Sequence, residues 1–257
     1  MSSEPVTVDA DIAEYGLRIG DDALILAQRL SEWAARSPQI EEDVALMNIA
    51  LDLLGQARTL LSYAGAREGR RRDEDDLAYL RDEAEFRNVA LVELANGDFA
   101  VTMVRQLLFS AYQCELYRRL VDSADPTLAA IAGKAVKEVD YHRDHAEAWV
   151  RRLGDGTEES HARTQAALEA TWPYHHELFE DDSLTARLAG AGLAPAPGSL
   201  RDGWADVVLP LLGKATLAVP ENTWAPTGGR RGQHTEAFGY LLAELQHLHR
   251  SHPGASW

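Results

Sequence analysis

The stretch QIEEDVALMNIALDLLGQARTLLSYA, residues 39–64, decides the fold. Met47, Ala50, Leu51, Leu54, Ala57 and Leu61 recur at the i, i+3, i+4, i+7 spacing of one helix face. Leu46, Ile49, Leu53 and Leu60 make a second stripe, so this helix is apolar almost all round. Such a helix is expected at the centre of a bundle rather than on its surface.

Helical punctuation recurs on both sides of it. Residues 9–35 read as a helix that Ser37-Pro38 ends, with Leu17, Leu24, Leu26, Ala27 and Leu30 on its apolar side. A helix over 76–94 is expected after the charged loop 67–76, and Asn96-Gly97 breaks it before another helix over 99–122. Asp125-Pro126 joins an N-cap acid to a first-turn proline and opens a helix to about Leu153. Further helices are expected over 157–179, 199–217 and 234–250, with an irregular Pro- and Gly-rich stretch from Val219 to Gly232. No strand pattern, internal repeat or linker-length segment interrupts them. The expected class is all-α: a single domain over 9–257 built as an antiparallel bundle with peripheral helices, behind a loose tail over 1–8.

The bulk composition narrows the function. The net charge of −16 repels phosphate and argues against a nucleic-acid partner. No run of 18 apolar residues is present to span a membrane, and the first residues lack the basic and apolar regions of a secretory leader. The one cysteine, Cys114, has no partner for an internal disulfide and lies among apolar residues. These features together point to the cytoplasm.

Polar interruptions of apolar helix faces mark the candidate site. Asp52 lies in the middle of the central helix, with Asn48 and Gln56 at i−4 and i+4. Glu138 is followed by Tyr141, His142 and His145 on one face, and Glu83 opens the apolar run Phe86, Val89, Ala90, Leu91. Inward carboxylates on several long helices suggest the ferritin-like di-iron bundle, which takes a Glu from each of two helices and a Glu-x-x-His from each of two others. The ligand set is incomplete here. Phe86 follows Glu83 and Tyr141 follows Glu138 at i+3, where imidazoles are wanted. Glu158/His161 and Glu244/His247 have the spacing, but a composition of 9 His and 41 acids in 257 residues produces one or two such pairs by chance. His175-His176-Glu177 reads as a surface cluster near a kink. Glu138 with His142 and His145 remains open between a metal site and hydrogen-bonded interior histidines. Lys134 at i−4 from Glu138 and Arg87 at i+4 from Glu83 are the expected neutralising cations.

Four segments carry a family resemblance: RLSEWAARSPQIEEDVALMNIALDLLGQARTLLSYA (29–64), LVELANGDFAVTMVRQ (91–106), AAIAGKAVKEVDYHRDHAEAWVRRLGDGTEES (129–160) and TGGRRGQHTEAFGYLLAELQ (227–246). In order and extent they resemble the structural, C-type subunits of bacterial phenylacetyl-CoA epoxidases. The resemblance implies a ferritin-like scaffold that has lost its metal site and binds no cofactor itself. It implies a homologous catalytic subunit as partner, holding the di-iron centre and the acyl-CoA, with a further small subunit alongside; self-association stays open. The complex uses O₂ and NADPH to epoxidise the aromatic ring. Arg230 and Arg231, in the Gly-rich loop, are then candidates for touching the partner or the phosphates of its CoA. Two other readings stay open: a di-iron oxidoreductase active by itself, and a ferritin-like protein that binds an acyl-CoA.

Overall fold

The computed structural model describes residues 8–221 and 224–255; the tail expected over 1–8 lies outside them except for Val8. Four long helices make the bundle: α1 (Val8–Ser31), α2 (Ile40–Arg67), α5 (Phe99–Leu120) and α6 (Pro126–Gly154). The short helices α3 (Glu74–Tyr79) and α4 (Ala90–Glu93) lie in the crossover between the two halves. After the bundle come α7 (Glu158–Thr171), α8 (Ser183–Gly190), α9 (Arg201–Lys214) and α10 (Glu236–Ser251). No strand occurs among the described residues.

α1 packs antiparallel along α2, and α5 along α6. The approach of the first pair is close because Gly16 and Gly20 face Ala64 and Leu60/Leu61; a Cβ on Gly16 meets the Ala64 Cβ at 3.2 Å. Asp125 caps α6 by accepting from the amides of Thr127 and Leu128, both at 2.9 Å, and accepts the Tyr63 hydroxyl at 2.6 Å. α7 and α9 cover α5, which is buried nearly all round. The seam between α2 and α6 is thinner and is bridged by polar contacts.

Two expectations fail here. The segment 76–94 is not a continuous helix. Its chain runs through α3, a 3-10 turn at Glu83–Glu85, an extended stretch through Phe86 and Val89, and α4. α2 is also not covered all round. Ile40, Val44, Leu51 and Leu54 project outward and stay exposed, and only its opposite face meets the bundle. By length and composition alone this helix could cross a membrane, although Asp52, Gln56 and Arg58 interrupt it.

Candidate functional site

The expected vestigial metal site does not assemble as the sequence suggests. Glu83 sits exposed on the 3-10 turn, away from the bundle interior. Arg87 is not its counter-ion: the Arg87 guanidinium lies 3.4 Å from Glu14 and donates to the carbonyls of Ala84 and Phe86. Phe86 is fully buried, but on extended chain, under the Arg81 guanidinium at 4.1 Å from its ring centroid. Tyr141 turns outward and is 49% exposed, so it does not occupy an inward ligand position. Lys134 is exposed and forms no ion pair with Glu138 among the described residues.

What joins α2 to α6 is a ladder of hydrogen bonds. His145 Nε2 lies 2.8 Å from Glu42 Oε2, and His142 Nε2 lies 3.1 Å from Asp52 Oδ2. Burial holds His142 below its ordinary value, against the pull of the Asp52 carboxylate, so the ring is neutral at pH 7. Its Nε2 then carries the proton and donates, leaving Nδ1 as a buried acceptor without a partner. Deeper in the bundle the Gln56 amide donates to Glu138 Oε2 at 2.9 Å and accepts the Tyr117 hydroxyl at 3.2 Å. One neutral side chain thus ties α2, α5 and α6 together.

These residues do not fit a pair of iron ions. A di-iron bundle needs carboxylates from all four helices and two imidazoles turned to one point. The only acid of α5 is Glu115, and it pairs with Arg118 at 3.4 Å. At the interior position α5 offers the Tyr117 phenol instead, whose pKa burial pushes up further. Gln56, which cannot carry charge, takes up the free lone pair of Glu138. Among the described residues no three His, Cys, Asp or Glu side chains gather in a metal-holding group. Glu158, Glu244 and His247 are exposed, and His161 meets the Gly154 carbonyl at 2.7 Å. His175 is buried, stacked on Trp204, with burial pushing its pKa down to about 4. Glu177 is buried as well, so this cluster is not on the surface.

A second polar centre joins Glu177 and Arg230, which the sequence patterns single out for other roles, to Asp21, Asp22 and Glu93, which they do not. Asp21, Asp22, Glu93 and Glu177 are buried, and each anchors irregular backbone to the bundle. Asp21 pairs with Arg81 and accepts the Arg87 amide at 2.8 Å. Asp22 accepts the Val89 amide at 2.8 Å and a forked pair of bonds from Arg230 at 3.0 and 2.8 Å. Glu177 accepts three amides, those of Ala90, Gly228 and Gly229, at 2.7, 2.9 and 2.7 Å. Glu93 holds Asn88 and His234, both at 2.8 Å. Arg230 is therefore not a surface contact for a partner or for CoA; it is locked inside, donating also to the carbonyls of Arg18 and Arg87. Arg231 alone of the two stays exposed. The glycines of this loop serve close approach: a Cβ on Gly229 would meet the Asn88 carbonyl oxygen at 2.1 Å. The signal for this centre is present as two adjacent acids, Asp21-Asp22, inside the apolar run from Leu17 to Leu30.

The paired antiparallel hairpins define a ferritin-like all-α bundle. A solved structure, Protein 19 with aldehyde deformylating oxidase activity from Synechococcus, shares this fold at a TM-score of 0.58, with 19% identity over 83% of this chain and 94% of that one. The family model for the phenylacetic acid catabolic protein matches residues 2–257, and the chain belongs to that family. A relative from Escherichia coli (strain K12), the C-type subunit of 1,2-phenylacetyl-CoA epoxidase, is 46% identical over 246 residues, which are 96% of this chain and 99% of the relative.

Proposed function

We propose that this chain is a non-catalytic structural subunit of a multicomponent phenylacetyl-CoA 1,2-epoxidase, paired with a homologous catalytic subunit that carries the di-iron centre. The single observation behind it is the Tyr117–Gln56–Glu138 bridge, which fills the bundle interior with a neutral amide where a metal site would need converging carboxylates. The 46% identity to a relative named as a subunit of this epoxidase supplies the pathway. The role is mechanical. A bundle that keeps its four helices without metal can hold the helices of a metal-bearing relative in register. The test is reconstitution. The catalytic subunit is assayed for ring epoxidation with and without this chain, and both chains are analysed for iron. Activity should depend on the chain, and iron should follow the catalytic subunit. Two tightly bound irons in this chain alone, or full activity in its absence, would overturn the reading.

A further inference from the structure

α2 carries two apolar faces, and the bundle covers only one. Ile40, Val44, Leu51 and Leu54 point outward and, with Met47, which packs partly against the core, succeed one another at steps of four, three, four and three. This is the a/d repeat of a coiled-coil seam, which keeps an apolar line facing a neighbouring helix. Ile40 is 79%, Val44 56%, Leu51 63% and Leu54 45% exposed. Solvent-facing apolar residues scattered singly need no explanation, but a contiguous line of them along one helix does.

Two slots flank the C-terminal end of this line, where α2 runs from residue 54 to 61. Between α2 and α6, Gly55, Thr59, Ala130, Ile131 and Ala135 line an apolar slot of about 280 Å³. Beside α3, Leu24, Leu54, Ala57 and Leu61 share a second slot of about 350 Å³ with the charged side chains of Arg58, Glu74 and Asp75. Gly55 has nothing within 4 Å of where its Cβ would stand, so the first slot is open to an incoming side chain.

We propose that the seam and its two grooves are the docking surface for two helices of the catalytic bundle, one laid along each groove with the Leu51–Leu54 ridge wedged between them. This rests on the support role proposed above. A ridge between two channels is complementary to a helix pair, because a single helix cannot fill both channels. The heptad steps set a crossing angle of roughly 20°. Size points the same way. Five seam residues fall well short of the roughly 20–30 residues that a standard interface contributes per side, so a stable partner must cover the grooves as well. Charge chooses between partners. The rim carries Glu41, Asp52, Asp75 and Glu138 against Arg58 and Lys134, on a chain of net charge −16. A second copy would oppose like-charged rims, whereas a partner with a basic rim would not. Tyr141, exposed on α6 beside the seam, offers an aromatic anchor at its flank.

The experiment compares the wild-type chain with the double variant Leu51→Glu/Leu54→Glu and with Tyr240→Glu, an equally exposed apolar site on α10. Each is titrated against the purified catalytic subunit by calorimetry, and mass is read by light scattering. Both variants change exposed positions, so circular dichroism and Tm should match the wild type. The double variant should weaken association at least about 100-fold, and Tyr240→Glu should leave it within about twofold. If wild type and double variant bind alike, the seam is wrong while the support role survives. If the wild-type chain does not bind the catalytic subunit at all, the support role itself fails. A homodimer that the double variant dissolves, or retention on phosphatidylcholine vesicles that it abolishes, would overturn the choice of occupant.

Discussion

Replacing Arg230 by Met tests the buried centre. Met keeps the apolar stem and removes the four hydrogen bonds that Arg230 makes: two to Asp22 at 3.0 and 2.8 Å, and one each to the carbonyls of Arg18 and Arg87 at 2.9 and 2.8 Å. Asp22 would keep only the Val89 amide. Breaking a buried pair from one side costs about 3–5 kcal/mol. For a chain of this size that is a fall in Tm of roughly 6–20 °C. The loss should depend on pH. Burial already pushes the Asp22 carboxyl up to about 6 from its ordinary 3.8, with Arg230 pulling downward. A raised carboxyl contributes stability that is full below the ordinary value and is lost as pH rises through the folded one. In the wild type that loss is complete a little above pH 6. Without the guanidinium the folded value climbs higher, so the variant keeps losing stability above pH 6, by up to about 1.4 kcal/mol per pH unit. Urea melts of both proteins at pH 6 and pH 8 measure the gap, which should widen at pH 8. A gap below about 1 kcal/mol, or one equal at both pH values, would mean that Arg230 does not hold Asp22. Adding Asp22→Asn should recover part of the loss; strict additivity would refute the pairing as well.

Lys134→Met should change stability by no more than about 0.5 kcal/mol in urea melts, since Lys134 is exposed and unpaired with Glu138. Gln56→Glu would set a second carboxylate against Glu138, and thermal melts at pH 8 should show a loss of about 1–3 kcal/mol. His175, whose pKa burial lowers to about 4, contributes stability that is present above its ordinary 6.5 and is lost as pH falls toward 4. The loss should reach about 3 kcal/mol, and His175→Phe, which keeps a ring on Trp204, should flatten that slope in acid titrations followed by circular dichroism. Burial pushes the Cys114 thiol up to about 12, so an aromatic disulfide reagent at pH 8 should label it orders of magnitude more slowly in the folded chain than in denaturant.

The long helices are legible in the sequence because their signals are local. Asp125-Pro126 both caps α6 and starts it, and the two stripes of residues 39–64 are satisfied within one helix. The crossover is not legible, for a physical reason. Phe86, Val89 and Ala90 fall at helical spacing, but their chain is held extended by carboxylates far away in sequence: Asp21 on the Arg87 amide, Asp22 on the Val89 amide and Glu177 on the Ala90 amide, 66, 67 and 87 residues distant. No window of sequence contains those bonds. The burial of Arg230 escapes on the same grounds, since its carboxylate partner lies 208 residues away. Asp52 reads in sequence as a buried charge, yet it lies at the margin of the α2–α6 seam within reach of a neutral imidazole.

The all-round apolar character of α2 is plain in the sequence; what covers each of its faces is not. Leu46, Ile49, Leu53 and Leu60 are buried by this chain's own helices, whereas Ile40, Val44, Leu51 and Leu54 stay exposed. The two faces answer to different demands. The inner one ends in the Gln56 bridge, which ties α2 to α5 and α6; the outer one keeps the spacing of a helix seam that folding of this chain alone does not require. They are also separable by experiment. Gln56→Glu should weaken the fold and leave affinity for the catalytic subunit intact once the chain is folded, while Leu51→Glu/Leu54→Glu should do the reverse. If the first variant dissociated the complex while the fold stayed stable, the bridge would be reporting on the partner, and the division of α2 into a folding face and a docking face would be wrong.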